Sequence, residues 1–140
     1  MNVQTISSRK IRVMIVDDSA VIRAILDKML KDDDNIVVCG YAGDGVQAVK
    51  NISLCKPDII LLDIEMPRMD GFEVLRSVRR DENLKDLPVI MITSRTGEKH
   101  KQQAMELGVN QYLGKPFQEA KLLATIEEVI VSATAKLEQD

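Results

Sequence analysis

A regular alternation between short apolar runs and longer segments of helical periodicity constrains the fold of this chain more than any other feature. Three of the runs, IRVMIV, DIILL and VIMIT, are apolar almost throughout. Strands with this pattern are expected where helices cover both faces of a sheet. Because five predicted strands, these three among them, alternate with five helices, the sequence predicts an α/β fold with a doubly wound parallel sheet.

The ends of the predicted elements carry recognisable signals. The predicted strands cover residues 11–16, 35–42, 58–62, 89–93 and 110–114. Ser19 is expected to cap the first helix, Asp70 and Gly71 to open the third, and Gly108 to end the fourth. The fourth helix has the weakest apolar stripe, so we expect it to be the helix most easily displaced. The predicted domain spans residues 11–133, between an N-terminal tail of residues 1–10 and a C-terminal tail or linker of residues 134–140.

Composition and charge argue against binding to nucleic acid or membranes. The net charge is −3, the aromatic content is 3%, and the chain contains no Trp, so it lacks the basic surface and stacking rings that nucleic-acid binders use. No apolar run approaches the roughly 20 residues that span a bilayer. The first ten residues lack the apolar segment of a signal peptide. We therefore expect a cytoplasmic protein that contacts neither nucleic acid nor membrane.

The two cysteines, Cys39 and Cys55, are 16 positions apart and follow no metal-binding or redox spacing. Each is interpreted as a small buried hydrophobic residue of a protein in a reducing compartment.

Polar and charged residues follow the apolar strands. Asp17 and Asp18 come directly after the first strand, Asp63 after the third, Thr93 ends the fourth, and Lys115 follows the fifth. Function in doubly wound sheets gathers at the carboxyl ends of the strands, so we expect these side chains to lie close together. Three clustered carboxylates repel one another unless a cation joins them or some are protonated.

The available ligands are oxygens, which favours a hard divalent ion, Mg²⁺ in the first place with Mn²⁺ as an alternative. Mg²⁺ binds a few carboxylates together with phosphate oxygens, so the site suits a phosphoryl group. No GxxxxGK[ST] loop is present, which excludes a P-loop nucleotide site. Structural alternatives remain for each residue: Asp17 or Asp18 as a helix N-cap, Thr93 as an ordinary strand end, and Lys115 as a solvated turn residue.

The segments MIVDDSAVIR, ILLDIEMPRMDGFEVL, VIMITS and YLGKPF resemble a response-regulator receiver domain, the CheY-like phosphoacceptor of two-component signalling. The resemblance covers residues 11–133 and implies a flavodoxin-like (βα)5 fold with strand order 2-1-3-4-5. Some segments are similar to receivers of chemotaxis methylesterase regulators. Others are similar to receivers of hybrid chemotaxis-type kinases, including those of type IV pilus systems.

The resemblance assigns a role to each residue of the acidic cluster. Asp63 matches the phosphoacceptor, which takes its phosphoryl group from a histidine kinase or a histidine phosphotransfer domain. Asp18 matches a direct metal ligand and Asp17 an acid that holds the metal through water. Glu65 would lend its backbone carbonyl to the metal.

Other matched positions surround that cluster. Thr93 and Lys115 match the pair that contacts the phosphoryl group, and Tyr112 matches the switch aromatic. Glu65 and Arg95 match flanking residues that tune phosphoryl loss, either as an ion pair over the entrance or as solvated side chains. The matched loop residues are Met66, Pro67, Gly71 and Pro116, and the Lys115–Pro116 bond resembles one that the family commonly holds cis.

The leading functional hypothesis is a phosphorylation switch whose fourth helix, fifth strand and fifth helix form the binding face for a downstream protein that the sequence does not identify. Self-catalysed phosphorylation and dephosphorylation would make it a signalling module rather than an enzyme, acting as a monomer or weak dimer. A phosphate-independent docking module is the alternative. An aspartyl phosphatase or phosphotransferase is disfavoured, because Glu65 stands where such enzymes carry a second aspartate. The chain is either a stand-alone receiver or one excised from a longer protein.

Overall fold

A five-stranded parallel sheet lies at the centre of the computed structural model, which describes residues 10–66, 69–94 and 97–139. The strands are β1 (Ile11–Val16), β2 (Ile36–Ala42), β3 (Ile59–Asp63), β4 (Val89–Thr93) and β5 (Gln111–Gly114). The helices are α1 (Ala20–Lys31), α2 (Gly45–Cys55), α3 (Gly71–Arg80), α4 (Glu98–Glu106) and α5 (Glu119–Gln139). The strand order is β2-β1-β3-β4-β5, which confirms the predicted flavodoxin-like (βα)5 fold.

Two hydrophobic clusters cover the two faces of the sheet, because successive side chains of a strand point to opposite faces. Met14 and Val16 of β1 face a cluster completed by α2, α3 and α4. Val13 and Ile15 face a second cluster completed by α1 and α5. The apolar runs of β1, β3 and β4 are therefore buried on both faces, as the sequence predicts.

The register of the sheet brings the carboxyl ends of the central strands into line. Val16 of β1 pairs with Leu62 of β3, and the next residue of β3, Asp63, pairs with Ile92 of β4. Thr93 ends β4 and pairs with Gly114, the last residue of β5. The residues that follow these strands are consequently delivered to one edge of the sheet.

Side-chain caps begin three of the helices. The side chains of Ser19, Asp44 and Asp70 accept hydrogen bonds from backbone N–H groups in the first turns of α1, α2 and α3, as capping residues do. The N-cap of α4 is instead Gly97, which has no side chain to cap the helix, and the buried residue of α4 is Ala104. The prediction that this helix is lightly anchored agrees with that packing.

The predicted N-terminal tail, residues 1–10, lies outside the described residues except for Lys10. Helix α5 continues to Gln139, beyond the end of the predicted domain at residue 133. Among the described helices, none combines the length and the apolar character needed to cross a bilayer.

The interpretation of the cysteines as separate small hydrophobic residues is wrong. A disulfide joins Cys39 of β2 to Cys55, the last residue of α2, with 5.9 Å between the two Cα atoms. The pairing depends on how α2 packs back along β2, which the spacing of the two residues in the sequence does not reveal.

Arg79, near the end of α3, ties together two loops at the amino-terminal edge of the sheet. Its guanidinium group donates to the backbone oxygens of Gly108, Leu87 and Lys85 and to Oδ1 of Asn110, at distances of 2.7 to 3.1 Å. Asn110 Oδ1 also accepts from the backbone N–H of Val89, at 2.8 Å. One side chain thus joins the loop before β4 to the loop before β5.

We expect Arg79→Met to lower the free energy of unfolding by about 2–3 kcal/mol, because several carbonyl groups lose a charged donor in a partly buried position. Urea unfolding measures the change. Arg80→Met is the matched control, since Arg80 is exposed and its replacement is expected to change stability by less than about 0.5 kcal/mol. Equal effects of the two substitutions would contradict this account of Arg79.

Candidate functional site

The carboxyl edge of the sheet gathers the acidic residues that the sequence places after its strands. Asp17 follows β1 and Asp63 ends β3, and their exposed fractions are only 2% and 5%. Asp18 is exposed. Carboxylate oxygens of the three residues lie within 4.8 Å of one another, so the predicted acidic cluster forms.

Lys115 places its ammonium group against this cluster. Its Nζ lies 3.1 Å from Asp17 Oδ2 and 3.6 Å from Asp63 Oδ1. The backbone N–H of Lys115 donates to the carbonyl oxygen of Thr93 at 2.7 Å, which ties the loop after β5 to the end of β4. The Lys115–Pro116 peptide bond is cis, as the family resemblance implies.

The local backbone explains why Asp17 points into the site and does not cap a helix. Ser19 is the N-cap of α1, and its Oγ accepts from the N–H of Ile22. Asp17 Oδ1 accepts from the N–H of Ser19 at 2.9 Å, which leaves Oδ2 for Lys115. The N-cap alternative for Asp17 and Asp18 is therefore wrong, and Lys115 is an ion-pair partner instead of a solvated turn residue.

The electrostatic environment of Asp63 raises its pKa from 3.8 to about 6. Burial is the largest cause, because it disfavours the charged carboxylate, and the negative charge of Asp17 adds to it. The positive charge of Lys115 and a hydrogen bond from the backbone of Glu65 oppose the shift, and Asp18 adds a smaller repulsion. The positive charge of Lys115 is thus too small to offset the burial of the Asp63 carboxylate and the repulsion from Asp17.

A hard divalent cation fits this arrangement. The clustered donors are carboxylate oxygens, which are the ligands that Mg²⁺ and Mn²⁺ prefer. An added positive charge would relieve the repulsion that raises the pKa of Asp63. Asp17, Asp18 and Asp63 are the residues whose side chains could hold such an ion.

Gly71 lets the start of α3 pack directly against the end of β3. Its N–H donates to the carbonyl oxygen of Ile64 at 3.0 Å, and a Cβ at this position would collide with the carbonyl oxygen of Asp63 and come within 2.8 Å of the Ile64 Cα. Only a residue without a side chain fits here, because both neighbours are backbone atoms.

We expect Gly71→Ala to lower the free energy of unfolding by about 2–3 kcal/mol, since the backbone must shift to admit the methyl group. Thermal or urea unfolding tests this. Gly97→Ala is the matched control, because among the described residues a Cβ there would meet His100 Nδ1 alone, at 3.9 Å. The account is contradicted if Gly71→Ala is tolerated as well as Gly97→Ala.

The rim of the site carries further polar residues. Ser94 Oγ donates to Glu65 Oε1 at 3.3 Å, a contact that the sequence analysis missed although Ser94 directly follows Thr93. A cleft of about 350 Å³ opens beside the site and is lined by Ile64, Glu65, Met66, Asp70 and Phe72. The predicted site residues Pro67 and Arg95 lie outside the described residues, so the alternatives for Glu65 and Arg95 stay open.

The predicted switch residues occupy neighbouring strands. Thr93 is fully buried at the end of β4. Tyr112 lies on β5, opposite Met91 of β4, and packs against the hydrophobic cluster on the α2–α3–α4 side. Their roles as a phosphoryl contact and a switch aromatic stay predictions.

Comparison with known proteins agrees with this geometry. The family model of the response regulator receiver domain matches residues 13–127. A protein-glutamate methylesterase/protein-glutamine glutaminase of Pyrococcus abyssi is 40% identical over 113 residues, which cover 79% of this chain and 30% of that protein. A protein with the same name, numbered 3, from Geobacter sulfurreducens is 44% identical over 108 residues, or 77% of this chain and 28% of that protein. The chain therefore spans less than a third of these curated relatives.

Solved structures show the same relationship. The response regulator domain of Thermotoga maritima CheB superimposes with a TM-score of 0.79 at 32% identity, covering 87% of this chain and 97% of that domain. Vibrio cholerae chemotaxis protein CheY4 gives 0.78 at 34% identity, covering 86% of this chain and 98% of that protein. The sheet order, the acidic edge and these matches together lead to one conclusion: the chain belongs to the response regulator receiver domain family.

Proposed function

We propose that this receiver domain accepts a phosphoryl group on Asp63 in a Mg²⁺-dependent reaction. The observation that carries the proposal is the position of Asp63, a carboxylate buried at a strand end with Lys115 Nζ at 3.6 Å and with Asp17 and Asp18 beside it. A nucleophile so placed can attack phosphorus while a neighbouring cation compensates the developing charge.

The donor in this proposal is a phosphohistidine on a histidine kinase or a histidine phosphotransfer domain. A carboxylate oxygen of Asp63 forms a bond to phosphorus, the P–N bond to the imidazole breaks, and the bonding pair returns to the imidazole nitrogen. The products are an aspartyl phosphate and a neutral or protonated histidine. Since the attacking form is the carboxylate, deprotonation of Asp63 is required for the transfer.

Each neighbouring group has a task in this step. Lys115, whose Nζ lies 3.6 Å from Asp63 Oδ1, would contact a phosphoryl oxygen, and Thr93, at the end of β4, would donate a hydrogen bond. When Mg²⁺ is bound, it would neutralise charge on the carboxylates and on the phosphoryl oxygens. Asp18, Asp63 and the backbone carbonyl of Glu65 would hold it directly, and Asp17 through water.

The proposed output is a change in the α4–β5–α5 face, which binds a downstream protein. A phosphoryl group adds nearly two negative charges at Asp63. In the proposed switch, Thr93 and Lys115 move toward that charge, and Tyr112 turns inward. The N-cap of α4, Gly97, has no side chain to cap the helix, which supports a two-state shift of this helix.

The receiver acts in this proposal as a cytoplasmic signalling phosphoacceptor in a chemotaxis-type pathway, not as a turnover enzyme. Residues 11–133 form the domain, and residues 134–140 act as a C-terminal tail or linker. The domain works as a monomer or weak dimer, with no nucleic-acid or membrane contact. The methylesterase and glutaminase names belong to relatives more than three times as long as their matched regions.

A small-molecule phosphodonor tests the proposal. With acetyl phosphate and Mg²⁺, we expect the intact protein to gain one phosphoryl mass that survives acid and is lost in base, and chelation of Mg²⁺ should suppress the gain. A phosphate-independent docking module would gain no mass under either condition. A phosphatase or phosphotransferase would instead release inorganic phosphate continuously from varied phosphate esters.

A further inference from the structure

The Cys39–Cys55 disulfide lies away from the acidic edge, where it joins an edge strand to the end of a helix. Strand β2 lies at one end of the strand order, beside β1, and Cys55 is the last residue of α2. Cys39 is partly exposed, whereas Cys55 is buried among the side chains on the α2–α3–α4 side of the sheet. The proposed phosphoryl chemistry uses neither cysteine.

A β-bulge places two successive residues of β2, Cys39 and Gly40, beside the end of α2. Val13 of β1 pairs with Val38, but the next residue, Met14, pairs with Gly40, so Cys39 is the extra residue of β2. Val38 packs on the α1–α5 side of the sheet, while Cys39 packs on the α2 side, beside Cys55. The bulge inserts one residue, so that Gly40 also lies beside Cys55, while the strand continues to Ala42.

Gly40 leaves space for the sulfur atom of Cys55. A Cβ at position 40 would lie 2.9 Å from Cys55 Sγ, closer than real Cβ contacts allow. The packing around the two sulfur atoms therefore depends on Cys39, on Gly40 and on the end of α2.

The other end of α2 contacts the loop that follows Asp63. Gly45, the first residue of α2, approaches the backbone of Met69 so closely that a Cβ would collide with the Met69 carbonyl oxygen. Met69 directly precedes Asp70, the N-cap of α3. Helix α2 is thus held by the cysteine pair at one end and presses on the loop of the acidic site at the other.

We propose that Cys39 and Cys55 form a redox switch. The switch controls how firmly the end of α2 is held against β2, and α2 in turn restrains the loop around Met69. A dithiol reductant attacks the disulfide, the S–S bond breaks, and two electrons and two protons convert the sulfurs to thiols while the reductant becomes a disulfide. Reduction frees the last turn of α2 from β2. Oxidation reverses these steps and holds the helix again.

Helix α2 has few buried apolar residues, so the disulfide contributes much of what holds it against the sheet. Val46, Val49 and Leu54 of this helix are exposed, with Leu54 at 75%, so the apolar anchoring depends on few residues, mainly Ala48 and Ile52. Opening the bond returns the entropy of a 16-residue loop to the unfolded chain. The thermal midpoint is expected to fall by about 10 °C on reduction.

The test compares the full chain after treatment with diamide and after treatment with dithiothreitol. Alkylation with N-ethylmaleimide under denaturing conditions should add no group to the oxidised protein and two to the reduced one. Hydrogen exchange followed by mass spectrometry should then be faster after reduction in the peptide from the end of α2 and in the peptide that contains Met69. Peptides from α5, on the opposite face of the sheet, should change less than these two peptides.

The double variant Cys39→Ser/Cys55→Ser is the control, and its exchange and thermal midpoint should not respond to either reagent. The proposal is overturned if the diamide-treated protein still takes up two alkyl groups. It is also overturned if the disulfide forms but the Met69 peptide exchanges at the same rate in both states, because the bond would then be a structural link only. Neither readout requires phosphorylation of Asp63, so this test can fail while the proposed function holds.

Discussion

Asp63→Asn is expected to abolish phosphoryl uptake from acetyl phosphate, with no mass gain above background in the presence of Mg²⁺. The carboxamide is nearly isosteric with the carboxylate and can still accept the hydrogen bond from the Glu65 backbone, but its oxygen is a far weaker nucleophile. The fold should therefore persist while the chemistry stops. Intact-protein mass spectrometry measures the uptake, and circular dichroism verifies the fold.

Asp58→Asn is the matched control for that loss. Asp58 precedes β3, at the end of the strand opposite to Asp63, and its Oδ2 accepts from the backbone N–H of Arg12 at 2.8 Å. An asparagine can keep this hydrogen bond, so the variant should take up a phosphoryl group as the parent chain does. Uptake by Asp63→Asn at the parent rate, or its loss in both variants, would contradict the assignment of Asp63 as the acceptor.

The same substitution is expected to stabilise the metal-free protein at neutral pH. The pKa of Asp63 is raised from 3.8 to about 6 in the folded chain, chiefly by burial. At a pH above about 6, where Asp63 is charged in the folded chain, its raised pKa therefore lowers the free energy of unfolding by up to about 3 kcal/mol. Asp63→Asn removes this destabilisation, so its free energy of unfolding at pH 7.5 should exceed that of the parent chain by about 2–3 kcal/mol.

The sign of the pH dependence makes this prediction specific. Because the pKa of Asp63 is raised in the folded chain, Asp63 does not destabilise the parent chain below pH 3.8. Above that pH the parent chain loses stability relative to Asp63→Asn as the pH rises through about 6. The difference between the two proteins should therefore vanish near pH 3.5 and grow between pH 4 and pH 6.5. Urea unfolding with a chelator present measures it, and saturating Mg²⁺ should reduce the difference at pH 7.5. A variant less stable than the parent at pH 7.5 without metal would contradict the raised pKa.

The sequence was sufficient to predict the fold and the clustering of Asp17, Asp18, Asp63 and Lys115 at one edge of the sheet, for a physical reason. Parallel strands buried on both faces have continuous apolar sequences. The ends of β1, β3 and β4 can therefore be recognised where the apolar run gives way to a polar residue, which is Asp17, Asp63 or Thr93. Ser19 and Asp70 cap helices as predicted, because capping depends on local backbone geometry. Because the strands are parallel, these ends lie at the same edge of the sheet.

Other features depend on tertiary contacts that no local pattern records. Val21 and Ile25 continue the apolar stripe of α1, yet they are 68% and 46% exposed, because only one part of that stripe reaches the sheet. The disulfide depends on how α2 packs against β2, and the β-bulge at Cys39 shifts the register of the strand without a signature in its composition. The contact between Ser94 and Glu65 joins two loops that are 29 positions apart.

Chemical trapping of the phosphorylated residue is the most direct measurement of the central claim. Borohydride reduces an aspartyl phosphate to homoserine, so the chain is treated with acetyl phosphate and Mg²⁺, reduced, digested and sequenced by mass spectrometry. The account predicts homoserine at position 63, and its loss when Mg²⁺ is chelated. Homoserine at another aspartate, or none at all in a folded protein supplied with Mg²⁺, would contradict it.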